Sequence, residues 1–282
     1  MAMTPEEVIQ NLGDLPPLPQ VAARVIQISE GSDTSSEELQ HLIRTDQALS
    51  AQVLRVANSA MFGMLREVTT LTQAILTLGF STSRAVVLAS SIKNLFNRGP
   101  LAPQARLLWE HALATAITGS AFCKTLGYPE PEEVFLAGLL HDIGKSVMVL
   151  KFPERYFSLL DSSRYQAGDG LTLELSTFGF DHAVMGEALL RSWKIAEGFQ
   201  AAVRWHHDPF QAPPEHGRLV ALVALGNKAA TDLQFGPDVP DALAGATWGA
   251  LDILRLDEAT YQTHRTQALE AFELDKGLLT EF

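Results

Sequence analysis

The sequence predicts an all-α protein, on three observations. Helix-start signals recur along the chain, apolar residues return at three- and four-residue spacing, and no stretch alternates apolar with polar residues as a half-buried strand would. Thr4-Pro5-Glu6-Glu7 combines a capping box with proline at the first helical position, and Gly13 marks that helix's end. Pro16, Pro17 and Pro19 make a stiff entry to a second helix, in which Val21, Val25 and Ile28 recur before Gly31. Ser35-Ser36-Glu37-Glu38 is a second capping box, opening a helix with Leu39, Leu42 and Ile43 on one face. Asp46 is placed to cap the next, with Leu49, Val53 and Val56 inward. Thr70-Leu71-Thr72-Gln73 opens a short helix closed by Gly79, and Ser81 starts another toward Phe96.

Asn97-Arg98-Gly99-Pro100 is the best internal boundary, a turn cluster after a long helical run. It divides an N-terminal helical part, residues 1–98, from a helical bundle, residues 99–282. Leu101 to Leu126 reads as one long helix carrying Trp109 and His111, ended by Gly127. Tyr165 to Gly170 reads as a polar loop. Helices are expected at His182–Trp193, at Ala196–His207 before Pro209, and at Arg218–Leu233, with two or three closing helices after Gly236-Pro237.

The formal charge is −12, with 21 basic against 33 acidic side chains and no basic run. Direct nucleic-acid binding is not expected, because phosphate contacts need clustered Lys and Arg. The single cysteine, Cys123, excludes an intramolecular disulfide and reads as a small core residue of a reducing compartment. The N-terminus lacks a signal peptide's apolar segment and no run is long enough to span a membrane, so a cytoplasmic location is expected.

Function concentrates in Val134–Met148, VFLAGLLHDIGKSVM. The segment is apolar nearly all round, as a helix buried in a larger core would be. Into it come His141 and Asp142 side by side, then Gly144 and Lys145. An ionised carboxylate at that depth costs several kcal/mol unless it is paired or holds a metal, roughly. A helix over 134–145 is expected, with Gly144 as its terminating glycine and Lys145 at the negative helix end. Four further histidines stand out: His111 mid-helix, His182 opening a helix, and the adjacent pair His206 and His207. Singly, each reads more readily as a satisfied core or surface histidine than as a ligand. Together, imidazoles with one carboxylate suit Zn, Fe, Mn or Ni better than Ca or Mg. Asp142 has two oxygens and could bridge two ions, and facing helices of a bundle can supply the nitrogens.

The order His111, His141-Asp142, His182, His206-His207 resembles the HD metal-dependent phosphohydrolase superfamily, and in ligand order its HD-GYP branch. LPPLPQVAARVIQI (15–28), the stretch 43–60 with Asp46 and VANSA, LTQAILTLGF (71–80) and FGFDHAVMGEALLRSW (178–193) resemble an HDOD domain, a bacterial signalling relative of those enzymes. The resemblance covers roughly residues 12–235. It implies an all-α HD-superfamily bundle with an N-terminal helical subdomain. It also implies two transition-metal ions: His111, His141 and Asp142 at one, and Asp142, His182, His206 and His207 at the other. Lys145 matches the lysine of the HD-x-GK pattern, which would meet a substrate phosphate.

Three positions depart from the pattern. Asn227, in LVALGNK, stands where HD enzymes carry a late aspartate, so its neutral oxygen would be a weaker ligand. Leu107 replaces a glutamate that supports a third metal in some HD-GYP members. No Gly-Tyr-Pro triplet follows His207. The resemblance therefore implies a regulatory HDOD protein that holds metal and acts mainly through signalling partners. The alternative is an active phosphohydrolase or phosphodiesterase on a nucleotide or other phosphoester, with Asp142 and Lys145 catalytic. A helical scaffold with fortuitous histidines is the third reading.

Overall fold

A computed structural model describes residues 4–10, 21, 24, 25, 28, 35–59, 62, 64, 66–96, 102–160, 162, 170–235 and 243–275. Its elements among these residues are all helical. They run α1 (Pro5–Gln10), α2 (Ser35–Arg44), α3 (Gln47–Ala57), α4 (Leu71–Phe96), α5 (Ala102–Thr125), α6 (Pro131–Leu140) and α7 (Ile143–Lys151). Then come α8 (Pro153–Leu160), α9 (Gly170–Phe178), α10 (His182–Ser192), α11 (Glu197–Trp205), a 3-10 turn at Pro209–Gln211, α12 (Gly217–Asp232), α13 (Ala244–Leu254) and α14 (Glu258–Asp275). The fold class is thus all-α, as the periodicity predicts.

The start signals do what their chemistry requires. At α1 the Thr4 backbone N–H donates to Glu7 Oε2 at 2.8 Å while the Glu7 N–H donates to Thr4 Oγ1 at 3.2 Å, a reciprocal capping box. Asp46 Oδ1 accepts from the N–H groups of Ala48 and Leu49, and Asp181 Oδ1 accepts from Val184 at the start of α10. The break expected at Gly79 is a kink inside α4, where φ is 75°, a left-handed angle open to glycine at no steric cost. The expected breaks at Pro16–Pro19 and at Asn97–Pro100 lie outside the described residues, as does all of the 165–170 loop except Gly170, which opens α9.

An apolar core runs without interruption from Val8 and Val53 through Leu113, Leu140 and Met185 to Phe272. A second cluster holds Phe122, Ala202, Val220, Val223 and Tyr261 between α5, α11, α12 and the closing helices. Helix α5 is the central strut, packed by α6, α12 and α14. Cys123 is buried in this second cluster, and burial pushes its thiol up to about 11, so it is inert packing. No helix among the described residues is long and apolar enough to cross a membrane.

The sequence expectation fails at one informative place. Residues 134–145 are not one helix: α6 stops at Leu140, His141 and Asp142 form a turn, and α7 starts at Ile143. Gly144 therefore does not terminate a helix but lies in the first turn of one. A Cβ there would come within 1.9 Å of the His182 carbonyl oxygen and 2.7 Å of the Gly186 nitrogen. Glycine is required because α7 crosses α10 backbone to backbone. Lys145 is correspondingly at a helix start, fully buried, and not a solvated charge at a helix end. Helices α8 and α9 are additional to the sequence expectation.

Candidate metal centre

Five helices or their ends supply the histidines and the aspartate. His111 comes from the middle of α5, His141 and Asp142 from the turn between α6 and α7, His182 from the first position of α10, and His206 and His207 from the C-terminal end of α11. Each placement has a local cause. The α6–α7 break turns Asp142 inward, the Asp181 cap sets where α10 begins, and Pro209 follows closely on α11, since proline cannot extend a helix.

The six side chains converge. His182 Nε2 lies 3.1 Å and His206 Nε2 3.7 Å from Asp142 Oδ1, and His207 Nε2 lies 3.1 Å from His182 Nε2. On the other carboxylate oxygen, His141 Nε2 lies 3.4 Å and His111 Nε2 3.5 Å from Asp142 Oδ2. Two groups result, His111–His141–Asp142 and Asp142–His182–His206–His207, each with ligand atoms within 4.8 Å of one another and sharing the aspartate. All but His207 are buried, Asp142 at 4% exposure being the least sealed of them.

The neighbouring hydrogen bonds decide where the imidazole protons sit. His111 Nδ1 faces the Phe235 carbonyl at 2.8 Å, His141 Nδ1 the Gly138 carbonyl at 2.7 Å, and His206 Nδ1 the Val203 carbonyl at 2.8 Å. A carbonyl can only accept, so each Nδ1 carries the hydrogen, and in the neutral ring each Nε2 presents a lone pair to the centre. His111 and His141 thus set two lone pairs 3.3 Å apart with no proton between them. His206 Nε2 and both Asp142 oxygens lack a well-aligned hydrogen-bond donor although buried. Lone pairs crowded around a carboxylate are unfavourable unless a cation lies among them. The donor set, imidazole nitrogen with one carboxylate, fits transition metals.

Electrostatics agree. Burial pushes His141 down to about 4 and holds His206 and His207 well below the ordinary imidazole value, so these rings are neutral near pH 7. For Asp142 burial acts to raise the pKa, but His141, Lys145 and His182 outweigh it and hold the carboxyl well below its usual range. His182 is the exception. Burial opposes its charge, yet Glu174 and then Asp142 outweigh that and push it up to about 10.

Two other predicted residues are placed as follows. Lys145 Nζ is 2.9 Å from Asp142 Oδ2. Asn227 is buried on α12, where Thr231 Oγ1 lies 3.4 Å from its amide oxygen and 2.9 Å from its backbone carbonyl. Leu107 is 47% exposed on α5, one turn before His111.

Sequence reasoning missed Glu174, which contacts His182 and is fully buried on α9. The signal was present: GLTLELSTF carries one carboxylate in an otherwise neutral and largely apolar helix, and the argument applied to Asp142 applies there equally.

Fold and cluster together define an all-helical protein class with a buried histidine–aspartate centre able to hold metal. The chain belongs to the HDOD domain family, whose profile matches residues 15–209. A protein of uncharacterised function from Treponema pallidum (strain Nichols) is 24% identical over 221 residues, which are 78% of this chain and 43% of that one. The chain therefore spans less than half the length of that relative. Among solved structures, an HDOD domain protein of unknown function from Geobacter sulfurreducens superposes with a TM-score of 0.73 at 24% identity, covering 98% of this chain and 96% of that one. A protein from Shewanella amazonensis SB2B, provisionally classed as a phosphohydrolase, gives 0.67 at 25% identity with 96% and 97% covered. One from Marinobacter aquaeolei VT8, provisionally classed as a signal transduction protein, gives 0.68 at 20% identity with 97% and 61% covered.

Proposed function

We propose that this HDOD protein is a regulatory signalling protein whose helices are tied together by a two-ion transition-metal centre, and that it acts through protein partners. His111, His141 and Asp142 hold one ion, with Asn227 as a weak further ligand. Asp142, His182, His206 and His207 hold the other. The carrying observation is the burial of the donor set: imidazole nitrogens converge on a carboxylate that is only 4% exposed. Closed sites of this kind contribute folding free energy, whereas catalytic ones keep an open position. Iron, manganese, nickel and zinc all suit these donors.

We place the partner surface on the first half of α4, where Leu76 is 79% exposed and where Met64, 47% exposed, has its Sδ 3.9 Å from Thr77 Oγ1.

One observation favours the hydrolase alternative. The His207 ring is partly exposed, so the 182–206–207 group is approached from solvent, and Lys145 beside Asp142 could steady a phosphate there. Elemental analysis of protein loaded with Mn, Fe or Zn, followed by a bis(p-nitrophenyl) phosphate assay, separates the two. Two ions per chain with no turnover supports the regulatory reading. Turnover that disappears in Asp142→Ala establishes the hydrolase. A chain that retains no ion refutes both.

A further inference from the structure

Among the described residues, Glu174 is the one buried carboxylate outside the centre that reaches into it. Its Oε2 accepts two hydrogen bonds from a single residue, the His182 backbone N–H at 2.8 Å and the His182 Nδ1–H at 2.7 Å. Its Oε1 accepts the Tyr156 hydroxyl at 2.7 Å. Glu174 and Tyr156 are both fully buried. Three donors offset the cost of holding the carboxylate out of water. The double contact from one residue fixes the ring against its own backbone. With Nδ1 tied to Glu174, Nε2 has one direction left, toward Asp142 Oδ1 and His207 Nε2.

The other ring nitrogens of the centre are oriented differently. His111, His141 and His206 each give Nδ1–H to a neutral backbone carbonyl. His182 alone gives it to a carboxylate. A carboxylate behind an imidazole makes the opposite nitrogen a stronger donor to metal, and loss of such a partner typically weakens binding about 10–100-fold. That half of the centre also counts three imidazoles against two in the other.

We propose that Glu174 is the positioning residue that makes the Asp142–His182–His206–His207 group the tighter of the two ion sites, by holding the His182 ring in place and, through its carboxylate charge, making Nε2 a stronger donor. The inference rests on the metal reading above and adds an order to it: the ion at this group binds first and is removed last. A purely structural role is the competing account, since Glu174 also satisfies the first N–H of α10, where a carboxylate is favourable.

The test uses the full chain and Glu174→Gln, which keeps the volume and an amide oxygen for both His182 donors while Tyr156 turns to accept. Zn titrated into metal-free wild type by calorimetry at pH 7.5 gives one tight and one weaker event. In Glu174→Gln the tight event weakens about 10–100-fold while the weaker one stays within about twofold. Co absorption at the first equivalent changes in the same variant. An unchanged tight event in a folded variant, or equal weakening of both events, overturns the proposal and leaves the metal reading standing. Wild type that takes up no ion overturns both. Nitrogen-15 spectra of His-labelled metal-free wild type give a second readout, with the His182 signal assigned by its loss in His182→Gln. A His182 proton on Nδ1 is expected, and a bare Nδ1 overturns the proposal even where Glu174→Gln fails to fold.

Discussion

Lys145 Nζ lies 2.9 Å from Asp142 Oδ2, and both side chains are sealed from solvent. A lysine so placed answers the aspartate's charge from within the first turn of α7. Removing one partner of a buried pair costs about 3–5 kcal/mol, because the other charge is left uncompensated. Lys145→Met should therefore destabilise the metal-free protein by about that amount. With metal bound, the ions take over part of the neutralisation and the loss should shrink. Urea melts with EDTA and with Zn measure both. Equal losses in the two conditions would show that no cation shares Asp142.

His182 makes a separate prediction. In the metal-free protein its pKa is pushed up to about 10 by Glu174 and Asp142 against the effect of burial, so at pH 8 it is an imidazolium. An ion bound at Nε2 must displace that proton, while the Nδ1–H stays on Glu174. His141, His206 and His207, held low, have none to give. Metal binding at pH 8 should thus release about one proton, read as the difference in calorimetric enthalpy between buffers of unlike ionisation heat. Zero or three protons would contradict the assignment of charge.

The same shifts set the shape of stability against pH. His141, His206 and His207 are lower in the folded state than the ordinary value of about 6.5. The unfolded chain therefore binds more protons below pH 6.5, and stability falls as pH drops from there toward His141's value of about 4. His182 has the opposite sign: its contribution is complete below about 6.5 and is lost as pH rises toward about 10. Metal-free protein should be most stable near pH 6.5–7, with three groups steepening the acid flank and one the alkaline flank. Urea midpoints at pH 5, 7 and 9 in EDTA test this, and a monotonic trend would refute it. Metal retention should also fall between pH 7.5 and 5.

Much of this centre is legible in the sequence because it depends on residue type and helix rhythm. His141-Asp142 inside an apolar run, and WHHDP ending a helix before proline, are readable without coordinates, and so are the caps at Thr4 and Asp46. What is not legible depends on tertiary approach. Nothing in HDIGK says that the helix breaks at the histidine, because the glycine that looks like a terminator is needed by α10, some forty residues onward. The break in turn reverses the environment of Lys145, from an exposed helix end to a buried helix start. Glu174 is half legible: its lone carboxylate stands out in GLTLELSTF, but its partner is set by how α9 meets α10, and no local pattern encodes that.

Gly144 supplies the sharpest test of how the fold carries the site. Alanine there would place its Cβ 1.9 Å from the His182 carbonyl oxygen, against backbone that cannot rotate aside as a side chain can. Either α7 and α10 separate or α10 slides, and both move His182 relative to Asp142, now 3.1 Å apart. Overpacking of this sort costs about 1–3 kcal/mol, occasionally more. Gly245→Ala is the matched control, since a Cβ at that position in α13 meets nothing within 4 Å and alanine favours helix by up to about 1 kcal/mol. The expected outcome is a lowered melting temperature with loss of bound metal for Gly144→Ala, and an unchanged or raised melting temperature with full metal content for Gly245→Ala. Full metal content in a stable Gly144→Ala would mean that the α7–α10 crossing does not set the His182–Asp142 distance.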